Sequence, residues 1–246
     1  MRNIESWRPT KFVRMGRVLK ASRTLQHVSV SSRFFIDIVA PLYERAIRAH
    51  AQGRLLDMGC GHVPLYDTYR DLVSETVCID WEKTPHANPY LDHMVDLTEA
   101  LPFENASFDT ILLTDVLEHI SEPMNLMCEI ARILRPGGKL ILGVPFFYWL
   151  HEVPHDYYRY TEFALRRFCQ LSELRIVELV PYGGLPEILV DLISKSLNFI
   201  PNPLAASLRP LYAIAALLCK TKPIRKLSER TKSSLPSGYV LSAQKT

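Results

Sequence analysis

The sequence predicts an α/β protein built on a doubly wound, mostly parallel sheet, and three observations carry that prediction. The first is an apolar run, Leu55-Leu56-Asp57-Met58, that ends in Gly59-Cys60-Gly61, with Pro64 placed to open a helix. A buried strand that passes through Gly-x-Gly into a helix is how an open α/β sheet brings backbone N–H groups up to a ligand at the carboxyl end of a strand. The second is the recurrence of short apolar runs, such as Thr76-Val77-Cys78-Ile79 and Thr110-Ile111-Leu112-Leu113, separated by segments of helical period; runs of that kind suit strands covered on both faces. The third is size: 246 residues, 48% hydrophobic and 22% charged, suit one large domain.

The same totals weigh against other classes. A net charge of +3 is too mild to imply nucleic-acid binding. Cys60, Cys78, Cys128, Cys169 and Cys219 are scattered without a C-x-x-C pair, so neither a zinc ribbon nor a disulfide framework is indicated, and a reducing cytoplasm fits. Arg2, Arg8, Lys11, Arg14 and Arg17 stud the first residues, where a signal peptide would carry an apolar run.

In chain order, residues 1–30 read as a basic, irregular arm whose apolar content is Ile4, Trp7, Phe12, Val13 and Leu19. It is either a solvated tail with a few anchors or a patch for anionic lipid, phosphate or RNA. Residues 31–246 read as one domain. Ser31-Ser32 can cap a helix through Phe35, Ile38, Val39, Leu42 and Ile47 to Gly53, which Pro41 is expected to kink or divide. After the glycine loop, residues 64–73 are expected to be helical and 76–79 a second strand ending in Asp80. An acid there, about 20 residues past a glycine loop, sits where a ribose-binding carboxylate belongs. Trp81 beside it is placed to stack on a base or simply to pack. The strand 110–113 delivers Thr114-Asp115-Val116-Leu117-Glu118-His119 into the crevice at its carboxyl end. Ser121 caps a helix with Pro123 in its first turn, and Gly137-Gly138 is expected to end it. Residues 139–144 form the next strand, Thr161 caps a helix over 162–171, and 174–180 alternates as a further strand.

Asp57-x-Gly59-x-Gly61 resembles the first motif of class I S-adenosylmethionine-dependent methyltransferases. So do Val95-Asp96-Leu97, the segment L-P-F-E-N-A-S-F-D at 101–109, and V-L-E-H-I-S-E-P followed by E-I-A-R-I-L-R-P-G-G-K-L-I-L-G-V, which ends at Val144. The likeness, to the type 11 branch, covers roughly residues 55–180. It implies a Rossmann-like sheet of seven strands, the last one antiparallel and found at 238–243, with S-adenosylmethionine as cofactor. It implies cofactor contacts from Asp57, Gly59, Gly61, Asp80 and Trp81, from Asp96 toward the adenine amino group with Leu97 beside it, and from Thr114 and Asp115. An acid ahead of the glycines, with no third glycine, suits a cationic ligand better than a pyrophosphate.

Residues 145–161, P-F-F-Y-W-L-H-E-V-P-H-D-Y-Y-R-Y-T, follow a strand end and should hang over the crevice. His151-Glu152-Val153-Pro154-His155 matches H-E-x-x-H literally, but that zinc motif works only on a continuous helix, which Pro154 would break. The segment instead resembles the acceptor loop of methyltransferases associated with polysaccharide and lipid-linked sugar biosynthesis. His119, His151 and His155 are candidate bases for a hydroxyl acceptor, with Asp156 as orienting partner or alternative base. No catalytic metal is required by this reading.

Residues 183–237 form an insertion before the last strand, a long one by loop statistics. Glu187, Asp191, Ser194 and Asn198 make a narrow polar stripe on an otherwise apolar helix, and Lys220, Lys222, Arg225 and Lys226 follow a second apolar segment. The insertion either covers apolar surface of its own protein or a second copy, or lies through 187–226 in a membrane interface. The function expected is methyl transfer to a hydroxyl of a sugar, glycolipid or other small acceptor, in the cytoplasm or at the inner face of the membrane. The alternatives are a small-molecule O- or N-methyltransferase acting on a quinone-like or secondary metabolite, and a non-catalytic cofactor-binding subunit. No RNA-binding motif supports a nucleic-acid acceptor.

Overall fold

A computed structural model describes residues 1–82, 88–200 and 202–246, apart from the side chains of 198 and 202–209. The elements are β1 (Phe12–Met15), β2 (Val18–Ala21), α1 (Val30–His50), β3 (Gly53–Met58), α2 (Tyr66–Tyr69), β4 (Val73–Asp80), β5 (His93–Met94), β6 (Phe108–Thr114), α3 (Pro123–Ile133), β7 (Leu134–Pro145), α4 (Glu162–Leu171), β8 (Leu174–Tyr182), α5 (Leu185–Ser196), α6 (Asn202–Leu218), α7 (Lys222–Thr231) and β9 (Gly238–Lys245).

Seven strands make one sheet in the order β5-β4-β3-β6-β7-β9-β8. β3 pairs in parallel with β4 and β6, β4 with β5, and β6 with β7, while the last strand is antiparallel. Leu55, Leu56 and Met58 of β3 and Ile111, Leu112 and Leu113 of β6 are buried, which explains their uninterrupted apolar runs. Strand order reverses on either side of β3, so the carboxyl ends of β3, β4 and β6 border the crevice where doubly wound sheets bind ligands.

Several local expectations are corrected. Pro41 lies inside one unbroken helix, α1, because Val39, Ala40, Tyr43 and Ile47 around it are buried and packing outweighs the missing hydrogen bond. The helix expected over 64–73 shrinks to Tyr66–Tyr69, since Val63 ahead of it adopts φ +49 and β4 begins at Val73. Gly137 and Gly138 lie within β7 rather than at the end of a helix: α3 stops at Ile133, and Leu134 is already extended.

The chain divides into two compact units, the first comprising 1–9, 43–180 and 239–246, the second 10–42 and 181–238. In the first, the expected irregular arm is tied down. Trp7 is buried edge-on to Tyr66, and its indole N–H donates to the Val63 carbonyl (3.1 Å), so the arm braces the segment that follows the glycine loop. In the second, residues 12–21 form an antiparallel hairpin rather than an irregular run. Its insertion is helical, as expected, and α5 buries Ile188 and Val190 together with polar residues. Asp191, Ser194 and Lys195 are buried, Asp191 and Lys195 pairing with each other and Ser194 donating to the Ser31 carbonyl (3.2 Å), while Leu189, Leu192 and Ile193 are exposed. Glu187 caps the helix by accepting from the Gly184 N–H (2.9 Å). Asn198, the fourth member of the stripe, lies outside the described side chains.

Candidate active site

All of the predicted site residues lie in the first unit. At the tip of β3 the chain turns through Gly59 (φ +63) and Gly61 (φ +49). The two glycines serve different ends. A Cβ on Gly59 would stand 2.5 Å from Val116, whereas one on Gly61 would meet nothing within 4 Å, so only Gly61 faces open space into which a ligand could come. The Gly61 N–H donates to Asp80 Oδ2 (2.8 Å), and Asp80 Oδ1 accepts from the Trp81 N–H (2.7 Å). The carboxylate at the tip of β4 is thus fixed against the glycine loop. Burial holds the Asp80 carboxyl above its ordinary range, with those two N–H groups pulling the other way.

Asp57 is 5% exposed and accepts from the Tyr69 hydroxyl (2.8 Å). Burial, reinforced by the charge of Asp80 and opposed by Tyr69, pushes its carboxyl up to about 7. Asp115 adopts φ +57 at the end of β6 and accepts from the Tyr43 hydroxyl (2.7 Å), and its N–H donates to the Gly143 carbonyl (2.9 Å). Thr114 ends the same strand. Asp96 is exposed, its Oδ1 accepting from the N–H and hydroxyl of Thr98 (2.9 and 2.7 Å), while the Leu97 side chain joins the core and leaves only its backbone to a ligand.

The segment after β7 is not helical, as Pro154 requires, so the H-E-x-x-H match carries no zinc-protease geometry. Its histidines separate. The His151 ring meets the His119 ring at 4.7 Å. His155 instead stands against Trp81, centroids 5.0 Å apart, next to Asp80, and contributes only its carbonyl to His119 Nδ1 (2.9 Å). Asp156 is clamped by Arg159 at 2.6 and 2.8 Å and accepts from the His151 backbone N–H (2.9 Å). Burial alone would raise its carboxyl, but Arg159 and that N–H hold it down at about 2. Asp156 is therefore held as an anion by its clamp. His151 lies below its ordinary value through burial first and the charge of His119 second.

Sequence reasoning gave no role to Glu118, which is fully buried with His119 Nε2 at 3.8 Å and His151 Nε2 at 4.0 Å from its Oε1. A carboxylate inside the apolar run V-L-E-H-I was the available signal. Tyr43, Tyr69 and Arg159, which fix the site's acids, were also missed.

Residues 56–142 match the family described as "Methyltransferase domain". Among curated proteins, the chain is 28% identical over 103 residues to the demethylmenaquinone methyltransferase of Renibacterium salmoninarum, covering 40% of this chain and 44% of that protein. It is 32% identical over 108 residues to the ubiquinone biosynthesis O-methyltransferase of Parvibaculum lavamentivorans, covering 40% and 43%. The match thus spans less than half the length of these relatives. Among solved structures, the [4+2]-cyclase SpnF superposes with a TM-score of 0.54 at 20% identity, over 83% of this chain and 79% of that one, a likeness of fold alone.

Fold and matched segment are thus those of a class I methyltransferase domain over residues 56–142, a class whose cofactor is S-adenosylmethionine. In the chain, the matched segment is preceded by the N-terminal segment and α1 and followed by α4, β8, the helices α5 to α7 and β9.

Proposed function

We propose that the protein transfers a methyl group from S-adenosylmethionine to a hydroxyl of a small, apolar or lipid-borne acceptor, a quinone-like precursor foremost. The supporting observation is the crevice itself: Asp57, Gly59, Gly61 and Asp80 gathered at the ends of β3 and β4, with the histidine-bearing loop beside Trp81. The quinone class of acceptor is suggested by the two relatives named above.

In the reaction, the acceptor oxygen attacks the methyl carbon opposite sulfur. The C–S bond breaks with its electron pair passing to sulfur, and S-adenosylhomocysteine leaves. Most of the acceleration comes from holding oxygen, carbon and sulfur in line. The hydroxyl proton must go to the protein. His119 Nδ1 faces the His155 carbonyl, an acceptor only, so that nitrogen carries the hydrogen and Nε2 keeps the lone pair that can take a proton.

A membrane-lodged acceptor is favoured by the exposed apolar face of α5, by exposed Leu211, Ile214, Leu217 and Leu218 on α6, and by exposed Lys220, Lys222, Arg225 and Lys226 after it. Apolar side chains next to cations suit an anionic interface. No helix among the described residues is long and apolar enough to cross a membrane. A lipid-linked sugar acceptor rests on the likeness of the loop sequence only.

The test is incubation with methyl-labelled S-adenosylmethionine and a host extract, followed by partition between organic solvent and water, with Gly59→Ala as control. Enzyme-dependent label in the organic phase is expected. Label resistant to mild acid fits a quinol ether, and label released as a water-soluble fragment fits a lipid-linked sugar. Label only in water, or none that depends on the enzyme, overturns the reading.

A further inference from the structure

Residues 1–9 belong to the first unit and lie outside the matched segment 56–142, yet their hydrogen bonds fall on both flanks of the glycine loop. On one flank the Arg2 N–H donates to the Tyr90 carbonyl (3.2 Å), the Asn3 side-chain amide to the Pro89 carbonyl (2.6 Å), and the Tyr90 hydroxyl to the Ser6 carbonyl (3.3 Å). The Tyr90 N–H in turn donates to Asn88 Oδ1 (2.9 Å), and Asn88 Nδ2 donates to the Gly61 carbonyl. Gly61 is thereby held at both of its backbone groups, the N–H by Asp80 and the carbonyl by Asn88. On the other flank the Trp7 indole N–H donates to the Val63 carbonyl (3.1 Å). The Trp7 ring also begins an aromatic ladder: it lies edge-on to Tyr66 (5.2 Å), Tyr66 lies edge-on to Tyr69 (5.6 Å), and the Tyr69 hydroxyl holds Asp57.

Two features distinguish these residues from a tail that merely covers surface. Val63 adopts φ +49, and a β-branched residue stays in the left-handed region only where its surroundings hold it there. Gly59 and Gly61 adopt that region readily, so Val63 is the point of the turn that needs a clamp, and its carbonyl is where Trp7 bonds. In addition, Trp7 is buried while the other residues of 2–9 are exposed. A segment with one buried anchor and otherwise solvent-exposed hydrogen bonds opens far more easily than a buried sheet. It can leave the loop while the domain stays folded.

We propose that residues 1–9 act as a strap on the cofactor site, with Trp7 as a positioning residue: the docked strap holds the turn from Gly59 to Val63 in the shape that accepts S-adenosylmethionine. The inference rests on the reading that the cofactor lies at this loop. Because the cofactor favours the held turn, cofactor binding and strap docking strengthen one another, each by the same factor. Trp7 acts through Val63 and Tyr66 and not on the reacting atoms, so its effect falls on cofactor affinity.

The experiment takes the full chain and measures S-adenosylhomocysteine binding by calorimetry, together with hydrogen exchange of residues 1–9 in the presence and absence of that ligand. Saturating ligand should slow exchange in the strap by about tenfold. Trp7→Phe keeps a ring against Tyr66 and loses the indole N–H; it should weaken binding by about fivefold with little change in the thermal midpoint of the unliganded chain, and Trp7→Ala should weaken it by about tenfold or more. A merely structural Trp7 would lower that midpoint and leave exchange in the strap indifferent to the ligand. Exchange that does not respond to the ligand, or Trp7→Phe binding as the parent does, overturns the strap. The exchange measurement uses the parent chain alone, so it stays decisive where a variant fails to fold. Asp57→Asn separates the two readings. If it binds as the parent does, the loop is not the cofactor site and the strap falls with it; if it loses affinity while Trp7→Phe does not, the strap alone is wrong.

Discussion

With the cofactor bound at the β3 tip as proposed, Asp57 should tie its affinity to pH. Its carboxyl lies at about 7 because it is buried beside Asp80 with one hydroxyl for company. S-adenosylmethionine and S-adenosylhomocysteine both carry an ammonium group, so a cofactor held near Asp57 favours the ionised carboxylate, and binding expels a proton at neutral pH. The fraction already ionised is about a tenth at pH 6 and about nine tenths at pH 8. The dissociation constant of S-adenosylhomocysteine should therefore be about tenfold weaker at pH 6 than at pH 8, a difference of about 1.4 kcal/mol. Isothermal titration calorimetry in buffers of different ionisation enthalpy measures both the affinity and the protons released. Asp57→Asn should flatten the slope and bind weakly throughout. The same shift has a stability counterpart. Because the folded value lies above the unfolded one, ionising Asp57 costs the fold roughly 4 kcal/mol, and stability falls as pH rises from about 4 to about 7. Affinity that stays level between pH 6 and 8, or a slope that survives in Asp57→Asn, would refute the reasoning.

The two loop glycines should separate in their defects. Gly59→Ala meets Val116 and a left-handed backbone, so both the thermal midpoint and S-adenosylhomocysteine affinity should drop, with about 2 kcal/mol or more of stability lost by denaturant titration; Gly61→Ala has room and should cost only the backbone term, about 1 kcal/mol. Removing the clamp in Arg159→Ala frees Asp156, whose depressed carboxyl contributes at most about 2 kcal/mol that is present above pH 4 and lost as pH falls toward 2. Urea midpoints of parent and variant should accordingly differ most at pH 6, draw together below pH 4 and converge only as pH nears 2. On the exposed face of α5, Leu192→Asp should leave the thermal midpoint within experimental scatter yet lower co-sedimentation with vesicles containing anionic lipid; undiminished sedimentation would remove the membrane from the proposal.

What the sequence made legible was local. A strand that ends in glycines and a second that ends in an acid are each readable from a handful of residues, and parallel pairing of β3 with β4 then brings Gly61 and Asp80 together without further information. Thr161 capped its helix as its position indicated, accepting from the Ala164 N–H (3.2 Å). Pairings across the chain were not legible. Glu118 and His151 are 33 residues apart, and nothing in the spacing says that a loop will fold back onto a strand end. Trp7 looked like tail because its carbonyl partner, on Val63, lies far along the chain. On α5 the buried face is mixed: Ile188 and Val190 turn in, and Asp191 and Lys195 can join them because they neutralise each other.

The place of β9 in the sheet has a consequence for how the chain matures. As the chain is synthesised, β7 and β8 both emerge well before β9, yet β9 lies between them, with Lys245 donating to the Leu134 carbonyl across 111 positions and Gln244 to that of Gly137 across 107. Until those residues have left the ribosome, β7 keeps an open edge and β8 has no place to dock, although Leu140, Leu142 and Val144 have already been made. Such a nascent chain offers a long apolar strand to any neighbour. The helices of 185–231 lengthen that interval, which makes the insertion a burden on folding and makes chaperone occupancy during synthesis an expected property of this protein.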